Sequence, residues 1–140
     1  MAVAQSHRGQ GKFEVLIRTQ ELAMYTVRIC SNPKIFDPIY QTALTNRIID
    51  TATAIHVKAK TANEIRVNDD WYKAVKRKRL QEDAIADCNT LLALIDIAKR
   101  VFHLSSKRVK YWGKQTINTR DMLRRWKDTD SKHYAHLKPA

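Results

Sequence analysis

Residues that build turns are scarce in this sequence. It has 3 glycines and 3 prolines among 140 residues, too few for the many tight turns of a β-rich fold, so helices are favoured. Its 2 cysteines cannot form a disulfide framework, and a reducing, intracellular compartment is the default for such a chain. Charges interrupt every apolar run well before the roughly 20 residues that a membrane span needs. We therefore expect a cytoplasmic helical protein without a membrane anchor.

Acidic residues are few relative to basic ones. The chain has 26 Lys+Arg against 14 Asp+Glu, a formal net charge of +12 at pH 7. Such an excess points to a polyanionic partner or surface. With 44% hydrophobic residues, a chain of this length can bury a core without metals or disulfides, and it suits a single domain.

Apolar residues recur three or four positions apart in four segments, which predicts four helices. We predict helices over residues 13–30, 38–67, 71–103 and 107–127. The expected domain is 13–130, with a mobile basic tail over 1–12 and a frayed tail over 131–140. Short polar connections make neighbouring helices antiparallel, so the predicted fold is all-α, an antiparallel up-down four-helix bundle. The first helix is shorter than the middle two, and a homo-oligomer would cover the groove that it leaves open.

Each predicted helix has a stripe of residues that is expected to face the core. The fourth helix has a heptad-like seam of Val109, Trp112, Thr116, Thr119, Leu123 and Trp126. For the second helix, Ile39 and Ala43 are expected to begin a stripe that continues through Ile48. The predicted stripe of the first helix consists of Leu16, Gln20, Ala23, Val27 and Cys30.

Positive charge is concentrated in the segment KAVKRKR (73–79) and along the fourth predicted helix. Like charges this close repel one another, and a polyanion relieves that repulsion. Dense Lys and Arg bind nucleic-acid phosphates through counterion release, without reading sequence. The alternative is that these are solvated faces of a basic protein, and the two sets could lie on one side or at opposite ends of the bundle. Chosen by charge alone, the candidate nucleic-acid-binding residues are Lys73, Lys76, Arg77, Lys78, Arg79, Arg108, Lys110, Lys114, Arg124 and Arg125.

No catalytic or metal-binding signature is visible. The pair His133 and His136 lacks further ligands nearby, while Cys30 and Cys88 lie on apolar stripes, where cysteine is usually a small buried hydrophobe. The Arg-x4–6-His motif of HEPN ribonucleases is absent, because only two residues separate Arg100 from His103. We expect a protein that is not an enzyme and has no cofactor and no metal.

Several segments together resemble the accessory variability determinant proteins of diversity-generating retroelements, which belong with the four-helix-bundle proteins encoded in 23S rRNA intervening sequences. The resemblance covers about residues 13–130 and rests on the order and spacing of packing and capping residues. At 35–38 the sequence IFDP departs from the family pattern, with an acid before the proline and no basic residue after it. The segments are NPKIFDP (32–38), TNRIIDTA (45–52), ANEIR (62–66), Leu80-Gln81 with Ala84-Ile85, Tyr111-Trp112 with Lys114, and Met122-Leu123 with Trp126 and Asp130.

The resemblance implies a basic homopentameric barrel. Such a subunit is itself non-catalytic and binds the element's reverse transcriptase and its structured template RNA, and possibly the cDNA, to support mutagenic cDNA synthesis. Arg47 and Arg66 match the family pattern, either as RNA contacts or in ion pairs within or between subunits. The alternative function is that of an intervening-sequence-type self-assembling bundle, with general nucleic-acid binding and no polymerase partner.

Overall fold

The chain folds into four long helices. In the computed structural model they are α1 (Ala2–Cys30), α2 (Asn46–Glu64), α3 (Trp71–Val101) and α4 (Ser106–His133). The structure describes the backbone of residues 2–140 and the side chains of residues 14–140, and this part of the chain contains no strand. The predicted all-helical, four-helix architecture is therefore confirmed.

Side-chain contacts show how the helices are arranged. Thr19 of α1 is hydrogen-bonded to His56 of α2, and Lys58 of α2 to Asp87 of α3. Arg77 near the start of α3 reaches Asp130 near the end of α4, and Trp112 of α4 reaches Thr26 near the end of α1. Each helix thus packs beside the next in antiparallel order, and α4 closes the bundle against α1.

The helix boundaries follow local capping. Asp70 accepts a hydrogen bond from the backbone of Tyr72 and caps α3, and Ser105 caps α4 through the backbone of Arg108; both oxygens satisfy amides that have no partner within the helix. His103 has a left-handed backbone (φ 52°), so α3 ends at Val101 and not at residue 103 as predicted.

The segment predicted as one long second helix contains three structures. A 3-10 turn covers Pro38–Tyr40, a π-helical turn covers Gln41–Thr45, and the α-helix then runs over Asn46–Glu64. The side chain of Asp37 caps the 3-10 turn. The extra residue in the π turn re-phases the helix, so Leu44 is buried while Ile39 is 78% exposed and Ala43 is also exposed. The stripe therefore begins at Leu44, and the prediction that it begins at Ile39 is wrong.

The predicted stripe of α1 is partly correct: Ala23 and Cys30 are buried, and Leu16 packs against the core. Val15, Leu22 and Ile29 are buried, together with Thr19 and Thr26. Gln20 and Val27, which the spacing placed inside, are exposed. The helical backbone begins at Ala2, before the predicted start at residue 13; Met1 and the side chains of 2–13 lie outside the described part, so the mobility predicted for residues 1–12 stays a prediction.

The seam of α4 agrees with its prediction and extends further. Trp112, Thr116, Thr119, Leu123 and Trp126 are buried, with Val109 packed against the core. The seam then continues to Asp130, which is 9% exposed, and the helix continues to His133. Residues 131–133, the first three of the expected C-terminal tail, are therefore the last residues of α4, and the fraying of that tail stays a prediction.

Among residues 2–140, every helix is too short or too polar to cross a lipid bilayer.

Candidate nucleic-acid interface

The basic segment 73–79 opens α3, and its side chains point in different directions. Lys73, Lys76, Lys78 and Arg79 are exposed, whereas Arg77 is buried. Lys76 precedes Asp87 by eleven residues, three helical turns, so it lies on the side of α3 that faces α2. Lys78 lines a cavity beside the end of α4. The four exposed residues, Lys73, Lys76, Lys78 and Arg79, thus surround the first turns of α3 with positive charge, and together they are called the α3 collar.

Arg77 has a different environment from the other nine predicted binding residues. Its Nε donates to Asp130 Oδ2 at 2.6 Å, and its Nη2 donates to Oδ1 at 3.3 Å. Gln81 Nε2 donates to the same Oδ2 at 2.7 Å. The guanidinium carbon lies 5.2 Å from the ring centroid of Trp126, a cation–π contact. Because its charge is enclosed in this network, Arg77 is not accessible to a nucleic-acid strand. The proposed interface therefore does not include it.

A second set of basic residues follows the outer face of α4, opposite the buried seam. The exposed members recur at spacings of three, four, seven or eleven residues, so they lie near one line along the helix. None of them forms an ion pair with a residue in the range 14–140. They are Lys107, Lys110, Lys114, Arg125 and Lys132. Three of them were predicted, and the structure adds Lys107 and Lys132 to the line.

The other two predicted binding residues of α4 are either paired with a carboxylate or partly buried. Arg124 lies 3.8 Å from Asp121, an exposed ion pair of little energetic weight. Arg108 is half-buried at the start of α4. The nearby Arg120 bonds to Asn89 of α3 at 3.0 Å and to Asp121 at 3.4 Å, and so joins α3 to α4.

The basic line of α4 begins at the end of the bundle opposite the α3 collar and extends to the level of that collar. Arg77 fixes the level of the α3 collar beside Asp130, in the last turns of α4. At a rise of about 1.5 Å per residue, Lys110 lies roughly 30 Å from that level. Arg125 and Lys132 lie near the collar, so the outer face of α4 connects the two ends with positive charge.

Two residues that resemble the family pattern are also at the surface. Arg47 begins α2 and Arg66 follows its end, and both are exposed. Neither forms an ion pair with the described side chains. An ion pair between Lys58 and Asp87, 2.7 Å apart, joins α2 to α3. Local sequence patterns do not predict it, because its partners are 29 residues apart.

The cysteines are enclosed in the core. Cys30 and Cys88 are both buried and free. Burial raises the pKa of each thiol to about 12, so at neutral pH both stay protonated and are poor nucleophiles. Within the described residues, no three His, Cys, Asp or Glu side chains are grouped closely enough to hold a metal ion.

No protein-family model, curated protein or solved structure matches this chain.

Proposed function

We propose that this protein is a non-catalytic helical bundle that binds RNA through its exposed basic side chains. The observation that supports this most directly is the line of unpaired charge along α4, where Lys107, Lys110, Lys114, Arg125 and Lys132 are exposed. Neighbouring like charges on this line repel one another in the folded chain, whereas the phosphates of a nucleic-acid backbone attract them.

The binding mode follows from the chemistry of these groups. Lysine is a point charge on a flexible stem, and it suits contact with phosphate oxygens more than reading of base edges. The helices that carry the charge are rigid elements of a packed bundle. Binding is therefore salt-dependent and tolerant of sequence.

The resemblance described above makes the partner more specific. On that basis the chain is the accessory subunit of a diversity-generating retroelement, it binds the reverse transcriptase and the template RNA, and it assembles as a homopentamer. The polymerase chemistry then belongs entirely to the partner.

A second function is favoured by a different surface. Met24 and Val27 of α1 are 42% and 37% exposed, and with Ala23 they line a groove beside Thr53 and His56 of α2. A contiguous exposed apolar patch on a monomer commonly marks an interface. A self-assembling bundle of the intervening-sequence type, with general nucleic-acid binding and no polymerase partner, would use this face for its own copies.

Charge reversal on the two helices tests RNA binding. We would compare the wild type with two triple variants, Lys76→Glu/Lys78→Glu/Arg79→Glu and Lys110→Glu/Lys114→Glu/Arg125→Glu, by anisotropy of a labelled RNA at several salt concentrations. Both are expected to bind more weakly, with a shallower dependence of affinity on salt. Arg77 is left unchanged because its replacement would disturb the bundle.

The control variant carries the same change of net charge elsewhere. Arg28→Glu/Lys34→Glu/Lys60→Glu replaces three exposed residues outside α3 and α4, and it is expected to retain most of the affinity. Equal loss in all three triple variants would mean that net charge, and not this surface, governs binding. Binding that does not depend on salt would contradict the phosphate-contact model.

Co-purification separates the two functions. An accessory subunit is retained by the reverse transcriptase encoded beside it, in a locus that also holds template and variable repeats. A bundle with no polymerase partner assembles with itself and is not retained. Mass photometry of the isolated chain gives the number of copies in either case.

A further inference from the structure

A cavity lies between the start of α3 and the end of α4. Its volume is about 200 Å³, and its lining includes Trp71, Lys78, Gln81, Ser131 and Tyr134. The wall thus contains two aromatic side chains, one ammonium group and two neutral hydrogen-bonding side chains. It also contains the carboxylate of Asp130, which is already paired with Arg77 and Gln81. A space of this size is smaller than the roughly 300 Å³ and more of a typical drug-sized ligand site, and it suits a single planar group.

Two oxygen atoms of residues that line this cavity lack hydrogen-bond partners. Gln81 is fully buried, and its Nε2 is engaged by Asp130, but its Oε1 has no partner among the described residues. The buried hydroxyl of Ser131 is likewise unpartnered within residues 14–140. Leaving such a group unpaired costs about 1–3 kcal/mol. Two of them in the wall of one cavity indicate a missing polar occupant.

We infer that this cavity receives one nucleobase of a bound single strand. This rests on the proposed function and specifies where that function contacts a base. The aromatic rings of Trp71 and Tyr134 offer faces on which a base can stack. Every base carries an N–H donor for Gln81 Oε1 and an acceptor for the hydroxyl of Ser131. The ammonium of Lys78 pairs with the phosphate of the same nucleotide.

The position of the cavity agrees with this occupant. Lys78 both belongs to the α3 collar and lines the cavity, and the exposed Arg79 follows it directly along the helix. A strand held by Lys78 and Arg79 therefore passes beside the cavity. The hydrogen bond from Gln81 Nε2 to Asp130 fixes the Gln81 amide, whose Oε1 has no partner among the described residues.

Tryptophan fluorescence gives a direct test. Trp112 is fully buried and Trp126 is 7% exposed, so Trp71 is the indole that a base can stack upon. We would titrate the four nucleoside monophosphates and, separately, inorganic phosphate into the full chain. Saturable quenching by nucleotides, but not by phosphate, is expected. Equal responses to phosphate and nucleotides would identify a simple anion site and overturn the inference.

Two variants address the cavity without disturbing the charge. Ser131→Ala removes a hydroxyl that makes no bond in the folded chain, so the fold is expected to be unaffected, and Trp71→Leu removes a stacking face. Each is expected to weaken binding of a short single-stranded RNA by about tenfold. The matched controls are Thr129→Ala and Tyr40→Leu, at exposed positions outside the cavity lining, which should bind as the wild type does.

The failure of this inference and that of the proposed function are distinguishable. If RNA binds with its salt dependence intact while Ser131→Ala and Trp71→Leu match the wild type, the cavity holds only water and the inference is wrong. If the wild type binds no RNA even at low salt, the proposed function itself fails. Quenching by free nucleotides would in that case show that the cavity binds mononucleotides and not a base of a bound strand.

Discussion

The guanidinium of Arg77 and the carboxylate of Asp130 form a buried two-point contact between α3 and α4. The Nε–Oδ2 distance is 2.6 Å, and the two side chains are only 6% and 12% exposed. A buried pair of this kind costs desolvation that its own attraction roughly repays, so its effect is largest when one partner is lost. The pair fixes α4 against α3 and holds the charge of Arg77 away from the surface.

Removal of the carboxylate should be strongly destabilising. Asp130→Ala leaves the guanidinium buried without a counter-charge, and we expect a loss of about 3–5 kcal/mol in the free energy of unfolding. Urea denaturation measures it. The exposed Asp128→Ala is the matched control and should change stability by less than about 0.5 kcal/mol. A similar small effect of Asp130→Ala would show that the pair is solvated.

Truncation in the centre of α3 tests the core. Leu91 is fully buried, so Leu91→Ala should cost about 2–5 kcal/mol through lost burial and the cavity left behind. Ile97 lies on the same helix and is 48% exposed, which makes Ile97→Ala the control with a much smaller effect. Thermal or urea unfolding distinguishes them, and equal effects would move Leu91 to the surface.

His56 gives the stability a dependence on pH. Burial, and to a lesser degree the charge of Lys60, lower the pKa of His56 below its ordinary value of 6.5, and its Nδ1 lies 2.9 Å from Thr19 Oγ1. Below pH 6.5 the unfolded chain therefore binds a proton more readily than the folded one, and stability falls as the pH falls.

Comparison with His56→Gln isolates this contribution. The variant cannot be protonated, so its free energy of unfolding should decline less than that of the wild type as the pH is lowered from 6.5 toward 5. Urea titrations at a series of pH values measure the difference. Parallel profiles would mean that His56 titrates alike in both states.

The two thiols should be inert in the folded protein. Because burial raises the pKa of Cys30 and Cys88 to about 12, we expect negligible reaction with a thiol-specific disulfide reagent at neutral pH. Both should react fully once the chain is unfolded in guanidinium. Rapid labelling of the native chain would indicate that the helices open locally around one of these sites.

The parts of the fold that could be predicted from the sequence are those with an uninterrupted local signal. The seam of α4 repeats without a break from Trp112 to Trp126, and the capping residues Asp70 and Ser105 stand directly before their helices. In both cases the information lies within a few turns of chain. The four-helix architecture follows from such signals.

The stripe of α1 could be predicted only in part, because two of its buried members are polar. Thr26 is fully buried; its Oγ1 donates to the carbonyl of Leu22 at 2.8 Å and lies 3.0 Å from Trp112 Nε1, which donates to it. Thr19 bonds to Leu16 and contacts His56. Trp112 is 86 residues from Thr26, and His56 likewise comes from another helix, so hydropathy spacing favoured Val27 instead.

The candidate site could be predicted in composition but not in arrangement. Charge counting finds the segment 73–79, yet Arg77 is indistinguishable there from Lys76 and Lys78. Only the approach of Asp130, 53 residues away, decides which cation is enclosed. The sequence likewise contained no sign of the cavity beside Lys78, which exists because the last turn of α4 meets the first turns of α3.

The length of the basic line of α4 determines how long a nucleic acid must be to contact all of it. From Lys107 to Lys132 the helix axis extends about 40 Å at its rise of about 1.5 Å per residue. Double-stranded DNA advances about 3.4 Å per base pair, so a DNA duplex that occupied the whole line would have roughly one full turn. Shorter fragments contact only part of the line. The affinity of this surface should therefore depend on the length of the nucleic acid and not on its base sequence.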